Sequence, residues 1–304
     1  MTTISPNPAP AAAHAPAAPL HRTAALRTLL RNRLALAALA FLALVVICAL
    51  FAPLIAPADP NAQNLLERLQ PPAWQHGGSG AHLLGTDQLG RDLLSRVIHG
   101  TRVSLLVGTG AALLAGVIGT AAGLASGYFG GLPDRVLMRI ADVQLAFPAI
   151  LLALAVVGFL GSGLWYVILV LGVTGWVSYA RVVRSEVLSL RSRDFITEAR
   201  AIGVGDITIM RRHLLPNVMA PLATIGTLHV AAAIVAEASL SYLGLGVPKE
   251  TVTWGAMLAD GQLYLGTSWW VAVFPGVALM LASLAVNITG DALRDVADPK
   301  AYRR

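Results

Sequence analysis

Six stretches of this chain are apolar for about the thickness of a lipid bilayer, and that alone removes most folds from consideration. A hydrocarbon core about 30 Å thick takes roughly 20 residues of helix to cross. The six run approximately from Leu34 to Ile55, Val103 to Phe129, Val143 to Leu160, Leu164 to Val183, Val218 to Leu245, and Trp269 to Ile288. Lipid offers no partner to a backbone N–H or C=O, so a segment that crosses alone must satisfy each such group internally, as a helix does. The pattern predicts an all-α polytopic membrane protein with six transmembrane helices. Composition excludes a soluble particle: 56% of residues are hydrophobic, 12% are charged and mean hydropathy is +0.68, whereas soluble domains carry about 25% charge.

Basic residues orient the spans. With the N-terminus in the cytoplasm, 17 of the 22 Lys and Arg residues fall in inside segments, and only Arg68, Arg91, Arg96, Arg102 and Lys249 fall outside. Such a bias predicts that both termini are cytoplasmic. It also accounts for the net charge of +6 without nucleic acid, which is not expected as a partner. The first span resembles a secretory signal, but its length exceeds the roughly 7–15 apolar residues of one, so it is read as an uncleaved anchor. Residues 1–20 are Ala- and Pro-rich and predict a disordered tail. Cys48 is the one cysteine, so no intramolecular disulfide is possible.

A long basic loop, Glu198 to Pro216, interrupts this apolar sequence. An Ala-rich helix is expected to stop at Gly203, which tolerates left-handed backbone. Asp206 then offers an N-cap for a second short helix, and Pro216 is expected to set a boundary before the next apolar run. The prediction is a helix, a turn and a helix outside the bilayer. Arg211 and Arg212 could pair with a partner's charges or rest on anionic lipid headgroups.

Three further features invite a role. Ala111, Ala115, Gly119, Gly123 and Gly127 form a ridge of small residues at intervals of four, suited to close helix approach within the bundle or against another subunit. Glu237 is the one acidic residue well inside an apolar span, with Ser241 one turn on and His229 two turns before. A carboxylate there costs at least ~2.5 kcal/mol unless paired, neutral or facing water, so Glu237 could line a solute path, relay a proton or bond to neighbouring helices. In the outer segment from Ala56 to Arg102, the spacing of Asp87, Arg91, Asp92 and Arg96 suits charges on a short helix, for contact with a partner or as a self-satisfied ion-pair cluster.

Some chemistry is missing from the sequence. A Walker phosphate loop needs Lys followed by Ser or Thr, but Lys249 precedes Glu250 and Lys300 precedes Ala301. No clustered His and Cys suggests a metal, and no nucleophile-elbow motif is present. No catalytic residue, metal or cofactor is expected in this chain.

The loop resembles the signature of inner-membrane permease subunits of binding-protein-dependent ABC importers. In that signature E-A-A is followed by three residues, Gly, nine residues and I-x-L-P. Gly203, Leu215 and Pro216 fall at that spacing, His213 stands at the Ile position, and Thr197, Glu198 and Ala199 occupy the E-A-A positions. Leu83–Leu105 (LLGTDQLGRDLLSRVIHGTRVSL), Ala236–Pro248 (AEASLSYLGLGVP), Trp254-Gly255, Met257-Leu258, Phe274–Gly276 and Gly290–Pro299 resemble further segments of the C-type subunit of dipeptide, oligopeptide and nickel systems. The resemblance runs from about residue 22 to 300.

It implies the type I ABC importer permease (MetI-like) architecture. Residues 1–33 would form a cytoplasmic tail, 34–55 the first span, 56–102 an extracytoplasmic segment, 103–291 the permease core with the coupling loop at 184–217, and 292–304 a second cytoplasmic tail. The implied partners are a sister permease, two ABC ATPase subunits and an extracytoplasmic solute-binding protein, in a bacterial cytoplasmic membrane. The alternative is an ion- or proton-coupled secondary carrier using Glu237.

Overall fold

Nearly every apolar run becomes a helix, with ends set by caps and breakers. The computed structural model describes residues 32–248 and 250–297. Most of the N-terminal tail, Lys249 and residues 298–304 lie outside the described residues, and so do the expectations placed on them.

Ten α-helices occur among the described residues: α1 Arg33–Ile55, α2 Leu93–Phe129, α3 Gly131–Leu145, α4 Ala149–Leu160, α5 Leu164–Arg191, α6 Asp194–Ala201, α7 Asp206–Ile209, α8 Leu215–Tyr242, α9 Trp254–Gln262 and α10 Trp270–Ala297. No strand is present among them, only an isolated bridge between Thr86 and Asp92. The Asn32 side chain caps α1 by accepting from the Leu34 and Ala35 N–H groups at 3.1 Å each. Pro53 sits just after a non-helical Phe51, which bends the end of α1 because proline clashes with the preceding turn.

Among the described residues five helices, or six when a bent pair is counted as one span, are long and apolar enough to cross a membrane. The bent pair corrects the expected third span. Val143–Leu160 is not one helix: α3 and α4 meet at 90° across Ala146, Phe147 and Pro148. Pro148 has extended backbone (ψ 126°) at the start of α4, where a ring that fixes φ and lacks a donor is at home. With 12 residues, α4 reaches about 18 Å at 1.5 Å per residue.

The ridge on α2 is used internally. It packs along α5, and its three glycines are positions where a Cβ has no room. A Cβ on Gly123 would lie 2.6 Å from the Ala180 carbonyl oxygen, and one on Gly127 2.8 Å from Val187 Cβ. Ala111, Ala115 and the three glycines are buried. Without a hydrophobic drive in lipid, this backbone-to-backbone contact is what joins the two helices. Helix α8 packs across both α2 and α5, α10 packs on α8, and α1 lies against α2 and α10. Large apolar side chains such as Phe159, Leu113 and Trp165 are left on the outside of the bundle, as a lipid solvent permits.

Candidate functional site

The basic loop lies where α2, α5 and α8 end. Helix α6 stops in a Schellman motif: the Gly203 N–H donates to Arg200 O and the Val204 N–H to Ala199 O, both at 3.0 Å. Gly203 has φ +81°, the left-handed conformation that this motif requires. The expected helix, turn and helix is therefore present, with two corrections.

Asp206 is not the cap of the second helix. Gly205 holds that place, with extended backbone and no side-chain bond. Asp206 is the first helical residue, and its Oδ1 accepts the Tyr128 hydroxyl at 2.6 Å. Nor does Pro216 end a helix. Residues Met210–Leu214 form a π-turn in which the Leu215 N–H reaches back to Met210 O, and the helical path runs unbroken from Asp206 to Tyr242. A π-turn offsets the backbone ladder by one residue, which admits Pro216 near the start of α8 without a break.

Ile196, Ala199, Ile209 and Leu214 turn inward and pack with Tyr128, Val183, Val187, Leu190 and Val218. Glu198, Ile202, Gly203, Ile207, Arg211, Arg212 and Pro216 face outward, and Arg211 and Arg212 form no ion pair among the described residues. His213 lies half-buried beside the Phe195 ring, 6.4 Å between centroids, and Leu215 is also half-buried. The loop is thus a knob packed onto the bundle on one side, with two exposed isoleucines and, among the described residues, two arginines without an ion pair on the other.

Sequence reasoning missed Tyr128, Arg200, Asp134 and Arg184. Tyr128 is 3% exposed. Arg200 Nε donates to its hydroxyl at 3.3 Å, and the guanidinium lies 4.7 Å from its ring centroid. Arg184 of α5 grips Asp134 of α3 with two bonds, at 2.6 and 2.8 Å, and Ser126 of α2 also bonds to Asp134. The Tyr128–Asp206, Tyr128–Arg200 and Asp134–Arg184 pairs lie 50 to 78 residues apart, beyond the reach of any local spacing rule.

At the other end of α2 the outer charges do not share a helix as expected. Asp87 lies in a loop, and Asp92 caps α2 by accepting from the Ser95 N–H at 2.8 Å. The four residues are buried, Asp87 to 2% exposure. Asp87 Oδ2 accepts from Arg91 Nε at 2.6 Å and lies 3.5 Å from Arg96 Nε, while Arg91 Nη2 is 3.6 Å from the half-exposed Asp260. The charges of this group pair with one another and are buried. His82 bridges Asp92 and Glu67 at 2.9 and 3.4 Å.

Glu237 is 0% exposed. Its Oε1 accepts the Ser241 hydroxyl at 2.7 Å, and Thr253, whose Oγ1 caps α9, is the other hydroxyl beside it. Glu237 and Ser241 thus join the end of α8 to the start of α9. Neither lines the open crevice of about 340 Å³ bounded by Pro60, His99, Arg102, Val103 and Glu250 at the outer end of α2. His229 packs against Gly175 and the Tyr179 ring of α5 instead of approaching Glu237. Among the described residues no group of three His, Cys, Asp or Glu is placed to hold a metal.

Comparison with known proteins accords with this arrangement. Residues 119–303 match the family described as binding-protein-dependent transport system inner membrane component, and residues 23–72 match the N-terminal TM domain of oligopeptide transport permease C. The chain is 44% identical over 269 residues to a di/tripeptide transport system permease protein of Pseudomonas aeruginosa, covering 88% of this chain and 89% of that one. It is 40% identical over 274 residues to a glutathione transport system permease protein of Pectobacterium atrosepticum, covering 90% and 89%. An inward-facing structure of the MetNI methionine ABC transporter matches 66% of this chain and 95% of its own with a TM-score of 0.54 at 23% identity, a likeness of fold. The chain belongs to the family of inner-membrane permease components of binding-protein-dependent transport systems, in the branch of C-type ABC importer subunits.

Proposed function

We propose that this chain forms one half of a pore through which short peptides cross a bacterial cytoplasmic membrane, driven by ATP hydrolysed on two separate subunits, one of which seats on the loop from Glu198 to Pro216. The observation that carries this reading is the outward-facing knob, packed onto the bundle, on a chain that lacks a phosphate-binding loop of its own. A knob that is continuous with α8 and packed on α2 and α5 suits a lever, since force applied to it reaches three spans. Relatives named for di/tripeptides and glutathione favour short peptides over nickel complexes as the solute. The sister permease supplies the other half of the pore and a solute-binding protein delivers peptide from outside. Both termini are cytoplasmic by the distribution of basic residues, and no cofactor is needed in this chain.

The test is uptake of labelled dipeptide, longer peptide and nickel in a strain lacking this chain, with and without its restoration, while ATP synthesis and the ion gradient are blocked separately. Restored dipeptide uptake that follows ATP is expected. Uptake that follows the ion gradient with ATP depleted would overturn the reading and return Glu237 to the centre of a carrier mechanism.

A further inference from the structure

Tyr128 is the one tyrosine of α2 and occupies a singular position: one phenol touches both limbs of the knob. Its hydroxyl donates to Asp206 Oδ1 at 2.6 Å, on the limb after the turn, and accepts from Arg200 Nε at 3.3 Å, on the limb before it. The Arg200 guanidinium also lies over the ring, 4.7 Å from its centroid. The ring is buried among Val183, Val187, Ile196 and Ile209, so it cannot swing away without opening that cluster. The Ser126–Asp134–Arg184 bonds fix the same end of α2 to α3 and α5.

Helix α2 has 37 residues, about 55 Å at 1.5 Å per residue. Its glycine ridge locks it to α5, and its opposite end carries the capping Asp92, the buried Arg96 and the Val97 carbonyl that accepts from Trp254 Nε1 at 2.9 Å. Two helices in backbone contact do not slide past one another without losing that contact.

From this geometry we infer that Tyr128 is the joint through which displacement of the knob is passed to α2, and along α2 to the extracytoplasmic side. It is a positioning residue: it touches neither solute nor nucleotide. A hydrogen bond to a charged group is stronger and more directional than packing, so the phenol fixes the angle between knob and rod where the hydrophobic cluster fixes only their proximity. Coupling between sites is reciprocal, so the same joint carries the signal inward when a binding protein docks outside.

This inference rests on the loop being the ATPase-docking segment, and the experiment separates the two. The complete transporter, with sister permease and ATPases, is reconstituted in proteoliposomes with its binding protein, and peptide taken up per ATP hydrolysed is measured for wild type, Tyr128→Phe, Asp206→Ala and the double variant. Phenylalanine keeps the ring, its packing and its contact with Arg200, and removes both hydroxyl bonds. In parallel, Ile207, which is 67% exposed at the tip of the knob, is replaced by a benzophenone photo-crosslinker in the wild-type and Tyr128→Phe backgrounds.

The expected result is a crosslink to the ATPase in both backgrounds and a fall of at least threefold in peptide per ATP for Tyr128→Phe. The double variant should be no worse than the poorer single one, because both break the same bond. No crosslink in the wild type would sink the docking assignment and this inference with it. A crosslink with an unchanged peptide-to-ATP ratio in Tyr128→Phe would sink the joint alone. Equal loss of uptake and hydrolysis, in proportion to lost assembly, would reduce Tyr128 to a stabilising residue and overturn the proposal.

Discussion

Gly203 offers a clean perturbation because its cost is conformational. A Cβ placed there meets nothing within 4 Å, so substitution introduces no clash, and only the φ of +81° is at issue. The turn is held by two backbone bonds, from Gly203 to Arg200 and from Val204 to Ala199, worth about 1 kcal/mol each net. Left-handed backbone costs a non-glycine residue ~1–3 kcal/mol, with asparagine at the low end and a β-branched residue at the high end. Taking about 2 kcal/mol for the bonds, strain of ~1 kcal/mol in Gly203→Asn leaves the turn formed in most molecules, while ~3 kcal/mol in Gly203→Val leaves it formed in roughly one in six. Dipeptide uptake by a strain carrying each variant, normalised to the amount in the membrane, should therefore stay close to wild type for Asn, fall to about half for Ala and fall about sixfold for Val. Uptake by Val within twofold of wild type, or an Asn variant as impaired as Val, would refute the dependence on turn geometry.

Three further outcomes follow from the buried contacts. Gly119→Leu places a Cβ 2.5 Å from Tyr179 Cβ and should cost ~1–3 kcal/mol or more by overpacking; it should lower the unfolding temperature of the purified transporter, whereas Gly116→Ala, with 3.4 Å to the nearest atom of the Tyr179 ring, should not. Asp87→Asn leaves Arg91 and Arg96 buried without their carboxylate, which costs about 3–5 kcal/mol; the amount of protein in the membrane should drop sharply and recover in part when Arg91→Gln is added. Glu237→Gln keeps a carbonyl oxygen to accept the Ser241 hydroxyl and should keep at least half of wild-type uptake, while Glu237→Ala should lose most of it through a destabilised α8–α9 junction. Abolished uptake in Glu237→Gln at normal membrane levels would favour proton relay instead.

Periodicity and span length made the helices legible because a bilayer imposes them on any segment that crosses it. Gly203 was readable for a similar reason: a left-handed stop has few alternatives to glycine. The third span reads as one helix in the sequence because its apolar residues continue past Pro148, and hydropathy does not register a 90° turn. Asp206 reads as a cap by residue type, yet a tyrosine 78 positions away competes for its carboxylate. Pro216 reads as a stop because the sequence does not reveal the π-turn that makes room for it. The outer charges were recognised as a group, but their burial depends on Asp260, Trp270 and the segment before α2, which come together only in the folded chain.

The π-turn at Met210–Leu214 has a consequence for the loop in terms of rotational phase. Each α-helical residue advances the chain by about 100° around the axis, and a π-turn inserts one residue's worth of offset without breaking the rod. Everything before it, including Ile207 and the bond from Asp206 to Tyr128, is therefore rotated by about that angle relative to where an uninterrupted α-helix would have put it. The face that the knob turns outward is set by this one-residue phase shift, and a chain shorter by one residue between positions 210 and 214 would aim a different side of the knob at its partner while leaving α8 in register with the bundle.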